Sequence, residues 1–230
     1  MLAALDSRAR ERLAAHLEPH PFPQGQPFYE DGQDIRHAWF VETGLISLVT
    51  TLSDGFTVET SAVGREGAVG VTADLRPAPA SGNAVGQIAG HAQRIELGRL
   101  REIAHEDEQL RHKLGLLYEH LVADSRQSAA CIARHSVIER MCRWLLRCHD
   151  RMGGDELRLT HEFLAHMLGT RRSTVSTVAA DLEKAGLIRY SRGTIIVLDR
   201  RGLEARACEC YATMRRRSIE LGLEPAHVPF

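Results

Sequence analysis

The chain has 230 residues, 29 Lys+Arg against 30 Asp+Glu, and a net charge of −1. With 43% hydrophobic and 26% charged residues it has a globular composition, which excludes wholesale disorder. No apolar run approaches the roughly 18 residues of a membrane span. The near-zero average charge argues against a nucleic-acid partner until it is divided along the chain. Residues 157–230 carry 12 Lys+Arg and 8 Asp+Glu, a net of +4, whereas the preceding 156 carry 17 and 22, a net of −5. A basic C-terminal third on an acidic remainder is expected when one part meets phosphates and the other does something else. The N-terminus MLAALDSRARERLAAH is too charged for a secretory segment. Five scattered cysteines do not spell a disulfide framework. The expected setting is a reducing cytoplasm.

Residues 7–18 read as a short opening helix capped by Asp6 or Ser7. From Pro19 to about Leu97 short β-rich runs alternate with Gly, Pro and Asp-Gly punctuation: HAWFVETG, LISLVTTL, FTVETSAV, AVGQIAG and AQRIEL. Asp54-Gly55 between two of them is a strong hairpin signal. Short strands at this spacing predict an antiparallel β-barrel or jelly roll over 1–97. From Gly98 to about His135 the period becomes helical, with Leu110, Leu114, Leu117 and Leu121 on one seam. Asp124, Ser128 and Cys131 continue that seam, and buried polar seam residues fix register or contact a ligand. Ser136-Val137-Ile138-Glu139 is a capping box. It opens a second helix that ends at Gly153-Gly154 and marks a hinge near His135-Ser136.

The most specific signal lies at 160–186, THEFLAHMLGTRRSTVSTVAADLEKAG. Thr160 can cap a helix with Phe163, Leu164, Met167 and Leu168 inward, and Gly169 follows at the left-handed C′ position. Thr170 can cap a second helix with Val175, Val178, Ala179 and Leu182 inward, closed by Gly186. Ala165, Gly169, Val175 and Val178 stand where two helices crossing at a tight turn need a small residue, a glycine and β-branched packing. A DNA-reading helix-turn-helix requires that pattern. Its second helix presents Arg171, Arg172, Ser173, Thr174, Ser176 and Thr177. Arginine suits guanine O6/N7, and hydroxyls suit bases or phosphates. LIRYSRGTIIVLD then reads as a β-hairpin wing, with Arg189 and Arg192 placed for the flanking backbone. The domain reading is 1–97 effector barrel, 98–135 dimerisation helix and 136–230 winged helix-turn-helix, an α+β chain.

The Asp31-Gly32 to Gly44 spacing around HAWFVETG, the segment GREGAVG at 64–70, the long helix and THEFLAHMLGTRRSTVS carry a resemblance. From about Phe22 to Leu203 the chain resembles the CRP/FNR superfamily of bacterial transcription factors. The resemblance implies a homodimer joined along 98–135, a palindromic double-stranded DNA operator, contact with RNA polymerase and a small-molecule effector in the barrel. It places Arg172, Ser173 and Thr177 on base-contacting positions, with Thr160 among the DNA contacts. Many members carry Glu and Arg where Ser173 and Thr177 stand, so a different half-site is implied. It also places Gly64, Arg65, Glu66, Gly67 and Asn83 at the effector cassette, with Ser125 and Ser128 at the level where the helix meets the ligand.

Members that bind cyclic AMP have a Gly-Glu pair and, about ten residues later, an Arg-Ser that pairs the phosphate. Here Arg65 replaces that glycine and Asn83 replaces the arginine. Arg76, ten residues after Glu66, is followed by Pro77. The expected effector is therefore not a cyclic nucleotide, and no cofactor is assigned; the alternatives are a metal or redox sensor drawing on the histidines and cysteines, or DNA binding without an effector. No cysteine precedes Cys131, so an N-terminal iron–sulfur cluster is not expected. Cys208 and Cys210, two apart on an expected helix, should point to different sides, and no metal ligand is assigned. His161 and His166 lie five apart, roughly 140° around a helix, so they do not form a zinc-protease pair. No P-loop or nucleophile elbow occurs, and the expected class is a binding protein rather than an enzyme.

Overall fold

A computed structural model describes residues 1, 2, 5 and 7–223. The order of elements is α1 (Ser7–Ala14), β1 (Glu18–Phe22), β2 (Pro27–Tyr29), β3 (Asp34–Ile35), β4 (His37–Thr51), β5 (Thr57–Val63), β6 (Ala68–Val69), β7 (Ala78–Pro79) and β8 (Asn83–Glu96). The helical half follows: α2 (Leu97–Glu106), α3 (Glu108–Arg134), α4 (Val137–Met152), β9 (Glu156–Arg158), α5 (His161–Leu168), α6 (Arg172–Lys184), β10 (Ile188–Ser191), β11 (Thr194–Val197), α7 (Arg200–Arg206) and α8 (Cys210–Glu220). Asp6, one candidate cap of the opening helix, lies outside the described residues. That helix stops at Ala14, short of the expected Glu18, which already begins β1.

The strands form one six-stranded antiparallel sheet, β1-β8-β4-β5, with β2 on β8 and β6 on β4, beside a small β3-β7 pair. The sheet curls without closing into the expected barrel. HAWFVETG and LISLVTTL are one strand, β4, and AVGQIAG and AQRIEL are another, β8. Their mutual register slips around Thr43–Leu45, where glycines admit a sharp bend. Gly44 has φ +81, and a Cβ on Gly90 would lie 2.1 Å from the Thr43 carbonyl oxygen. A bulge with close backbone approach turns each long strand through a corner without ending it. The Asp54-Gly55 turn joins β4 to β5 as expected, with Gly55 at φ +84.

The expected single helix over 98–135 is broken at Asp107. Its backbone is extended and its carboxylate accepts a hydrogen bond from the Leu110 amide. An aspartate that caps a new first turn competes with continuation of the old helix. Leu110, Leu114 and Leu117 pack against α1, α2 and the sheet, so the leucine seam is filled by the chain's own sheet half. Ser136 and Glu139 form the expected capping box, and Gly153 ends α4 in the left-handed conformation.

One apolar core runs through both halves. Leu45, Val49, Ala62 and Ile88 of the sheet share it with Trp144 and Leu145 of α4 and Leu164, Val175 and Ile195 beyond. Along this seam α4 presents Trp144, Arg147 and Arg151, three and four residues apart and so on one face. Each meets a buried carboxylate. Trp144 Nε1 donates to Glu59 (3.1 Å), Arg147 Nη2 to Asp124 (2.6 Å) and Arg151 Nε to Glu66 (2.8 Å). Ser47 and Ser61 donate to Glu59 and Asp124 as second partners. Burial raises the pKa of Glu59. For Asp124 burial acts upward too, but Arg147, the Ser61 hydrogen bond, Arg143 and His120 together outweigh it and hold the carboxyl below its usual range. The polar seam residue at 124 thus fixes α4 against α3.

Asp124→Ala leaves Arg147 buried without its counter-charge, and should cost about 3–5 kcal/mol in urea unfolding. Adding Arg147→Met should return much of that loss.

Candidate nucleic-acid interface

The reading head is built from local signals. Thr160 caps α5, its hydroxyl accepting from the Phe163 amide at 3.2 Å. Gly169 at φ +56 closes α5, and its amide donates back into the last turn of that helix. Thr170 does not cap α6. The helix begins at Arg172 with Arg171 at the cap position and no side-chain hydrogen bond there. The Thr170 amide instead closes the turn by donating to the Ala165 carbonyl. Val175, Val178, Ala179 and Leu182 point inward as their spacing requires. The helix stops at Gly186, φ +73.

The outward face of α6 carries Arg171, Arg172, Ser173 and Thr177 exposed, with Thr174 and Ser176 half-buried. Thr177 donates to the Ser173 carbonyl and Ser176 to that of Arg172. Two residues with no DNA-reading role expected from sequence, His161 and Tyr190, buttress this face. His161 Nδ1 lies 2.9 Å from Ser176 Oγ, and its ring stacks on Tyr190 at 4.0 Å. His161 therefore belongs to the α5–α6 crossing, while exposed His166 lies 3.8 Å from Glu162. Burial lowers the His161 pKa, and Arg172 acts in the same direction, which favours a neutral ring beside a cationic helix end.

The wing is a three-stranded sheet, β10-β11-β9, one strand more than expected because β9 pairs with β11. Its turn is the two residues Arg192-Gly193, with φ of +48 and +81, the left-handed pair that matches strand twist in a tight hairpin. Arg189 and Arg192 are both exposed, beside the arginines of α6 in chain order.

The seven effector candidates are divided. Asn83 and Ser125 line a cavity of about 570 Å³ between the sheet and α3, together with Thr60, Tyr118 and Arg126. Asn83 is held by the Asp31 amide and donates to Thr51. Glu66 is outside that lining. Its carboxylate accepts from the Gly64 amide (3.0 Å) and from Arg151 (2.8 Å). Burial opposes ionisation there, but Arg151 and the amides hold the Glu66 pKa low. A Cβ on Gly64 would lie 2.8 Å from Arg151 Cδ, and one on Gly67 2.8 Å from Val63. Gly64, Glu66 and Gly67 therefore form the socket for α4 and α3. Arg65 is exposed on the same loop, and Ser128 is buried in α3.

The cysteines depart from expectation. Cys208 precedes α8 and Cys210 is its first residue, so the two are not on one continuous helix and do not diverge. Cys131, His135, Cys208 and Cys210 bring their ligand atoms within 4.8 Å of one another. The signal was present as Cys131-x-x-x-His135 on one helical face and Cys208-x-Cys210. Only the turn before α8 brings the two pairs together.

Residues 139–206 match the Crp-like helix-turn-helix domain model. A CRP-like cAMP-activated global transcriptional regulator of Mycobacterium tuberculosis is 22% identical over 202 residues, spanning 85% of this chain and 90% of that protein. Among solved structures, FixK2 of Bradyrhizobium japonicum superposes with a TM-score of 0.73 at 18% identity, over 84% of this chain and 98% of that one. A CRP/FNR-family transcriptional regulator of Thermus thermophilus superposes with a TM-score of 0.68 at 25% identity, over 83% and 98%.

Gly169 also touches the sheet half, since a Cβ there would lie 2.9 Å from Val58 Cγ2. Gly169→Ala should cost about 1–2 kcal/mol from the left-handed backbone alone and more from that contact. In thermal unfolding, Val58→Ala should relieve only the contact part.

Proposed function

We propose that this chain is a transcription regulator of the CRP/FNR type that binds a palindromic operator as a homodimer, with α6 in the major groove and the wing on the flanking backbone. The observation that carries this reading is the α6 face. Two arginines and two hydroxyls are exposed at the helix N-terminus, on a head whose turn geometry is locked by Thr160 and Gly169. The residues in contact with DNA are then Thr160, Arg171, Arg172, Ser173, Thr174, Ser176, Thr177, Arg189 and Arg192. Arg172 has the reach for a bidentate guanine contact, and Arg192 at the wing tip suits a phosphate.

A second seam on α3 supports the dimer. Gly115, Tyr118, Val122, Ser125, Ala129 and Ile132 follow a strict heptad spacing about 100° round the helix from the filled leucine seam, and none of them is buried. Tyr118 and Ile132 are large apolar side chains left open to solvent, 39% and 38% exposed. Such a row on a long helix is the geometry of a two-helix contact. Dimeric reading heads address half-sites about one helical turn apart. RNA polymerase is the further partner this reading includes, and the cytoplasm its location. No helix among the described residues is long and apolar enough to cross a membrane.

The cavity beside α3 is the effector site in this reading, with Asn83 and Ser125 as its polar contacts. Asn83 stands where a cyclic phosphate would need an arginine, which favours an effector other than a cyclic nucleotide, or binding to DNA without one. In this reading the chain acts by binding rather than catalysis, which the match of residues 139–206 to the Crp-like helix-turn-helix domain favours.

Selection of duplexes from a random-sequence pool tests the reading. The wild-type chain should enrich a two-fold symmetric site. On that site Arg172→Ala should cost about 1–3 kcal/mol and relax one base position per half-site. Arg192→Ala should weaken all sequences alike and flatten the salt dependence. Unchanged selectivity in Arg172→Ala would remove α6 from its role.

A further inference from the structure

Where α3 ends, three thiols and an imidazole converge in a pocket walled off from the main cores. Cys131, Cys208 and Cys210 are each at most 4% exposed and form a small cluster of their own. Cys131 Sγ lies 3.5 Å from Cys208 Sγ, and Cys210 Sγ lies 3.6 Å from His135 Nδ1. We propose that these four residues bind one zinc ion, in a tetrahedral Cys3His site that joins the last turn of α3 to the segment between α7 and α8.

The distances select a single ion. With Zn–S near 2.3 Å and Zn–N near 2.0 Å, tetrahedral ligand atoms stand roughly 3.5–3.8 Å apart. The two closest pairs match that spacing. Thiolates around a four-iron cluster stand farther apart than this group allows, and a Cys131–Cys208 disulfide needs the sulfurs at about 2.05 Å. The donor set of three soft sulfurs and one imidazole suits zinc and gives a closed site of the structural kind.

The surroundings supply what such a site needs beyond its ligands. His135 Nε2 faces the Glu209 carboxylate at 3.0 Å, which places the ring proton on that nitrogen and leaves Nδ1 free to ligate. Gln127 Nε2 donates to Cys210 Sγ at 3.0 Å. Zinc with three thiolates carries a net charge of −1, and two cations are buried beside it. Arg140 and Arg143 are 7% and 5% exposed. Among the described residues, Arg140 Nε and Arg143 Nε and Nη1 have no hydrogen-bond partner. Arg140 Nη1 donates to the Ile132 carbonyl, but buried guanidinium donors left unsatisfied cost stability, and an anionic metal–thiolate centre gives both arginines a counter-charge.

The consequence is mechanical. His135 immediately precedes the Ser136 cap of α4, so a metal here clamps the C-terminal segment of the reading half to α3 across the turn where α4 begins. Ligand deprotonation accompanies binding, and the metal's binding energy adds to the stability of that junction.

Elemental analysis of the full chain, purified without chelator, should give one zinc per chain. Cys131→Ser and Cys208→Ser should each lose it, while Cys142→Ala, a buried cysteine outside the group, should keep it. Should those variants fail to fold, the wild-type chain reloaded with cobalt(II) gives an independent answer. A tetrahedral d–d envelope with thiolate-to-cobalt charge transfer supports the site, and a weak octahedral spectrum overturns it. Wild-type protein without stoichiometric zinc, zinc retained in folded Cys131→Ser, or a Cys131–Cys208 disulfide in protein prepared anaerobically would each overturn it as well.

Discussion

Three buried carboxylates hold the molecule together at its one critical seam. Glu59 and Glu66 come from the sheet half and Asp124 from α3, and all three are engaged by one face of α4 through Trp144, Arg147 and Arg151. None could be buried alone, because an unpaired ionised group in an apolar interior is far more costly than the gain from packing around it. Their partners stand on a single helix, so the position of α4 is specified at three points along its length. The helix-turn-helix packs on α4, and its orientation follows.

This arrangement links the cavity to the reading head through adjacent residues. Ser125 lines the cavity, while Asp124, one residue earlier on α3, accepts from Arg147. In the proposed reading, an occupant that rotates or shifts α3 by a fraction of a turn changes both at once. The same helix carries Tyr118 and Val122 on its open heptad face, so the dimer contact and the cavity share one structural element. The zinc group at Cys131 and His135 would then set the far end of that helix, where α4 begins.

Much of the architecture was legible because it is encoded locally. The capping box at Ser136-Glu139, the left-handed glycines at 153 and 169 and the Asp54-Gly55 turn each need only a few neighbouring residues to specify their geometry. The inward row of α6 was legible for the same reason, although Thr170 does not cap that helix and Ser176 is half-buried against His161. Asp107 sits in a helical run, yet its carboxylate caps a new first turn, a local signal that competes with continuation of the old helix. Elsewhere distant contacts decide. Gly44 and Gly90 resemble strand ends, but they permit corners because each fits against the other strand's backbone. Glu66 fits an effector motif, while its partner Arg151 lies 85 positions away. Cys208 and Cys210 converge only because α8 begins at Cys210.

The central physical claim is that the sheet half and the reading half form one cooperative body through the α4 seam. Native-state hydrogen exchange tests this directly, by comparing the opening free energies of core amides in β4 and β8 with those of α4 and α6. The account predicts that the slowest amides of the two halves open with the same free energy and the same denaturant dependence. A reading half that opens several kcal/mol more easily, while β4 and β8 stay protected, would contradict it.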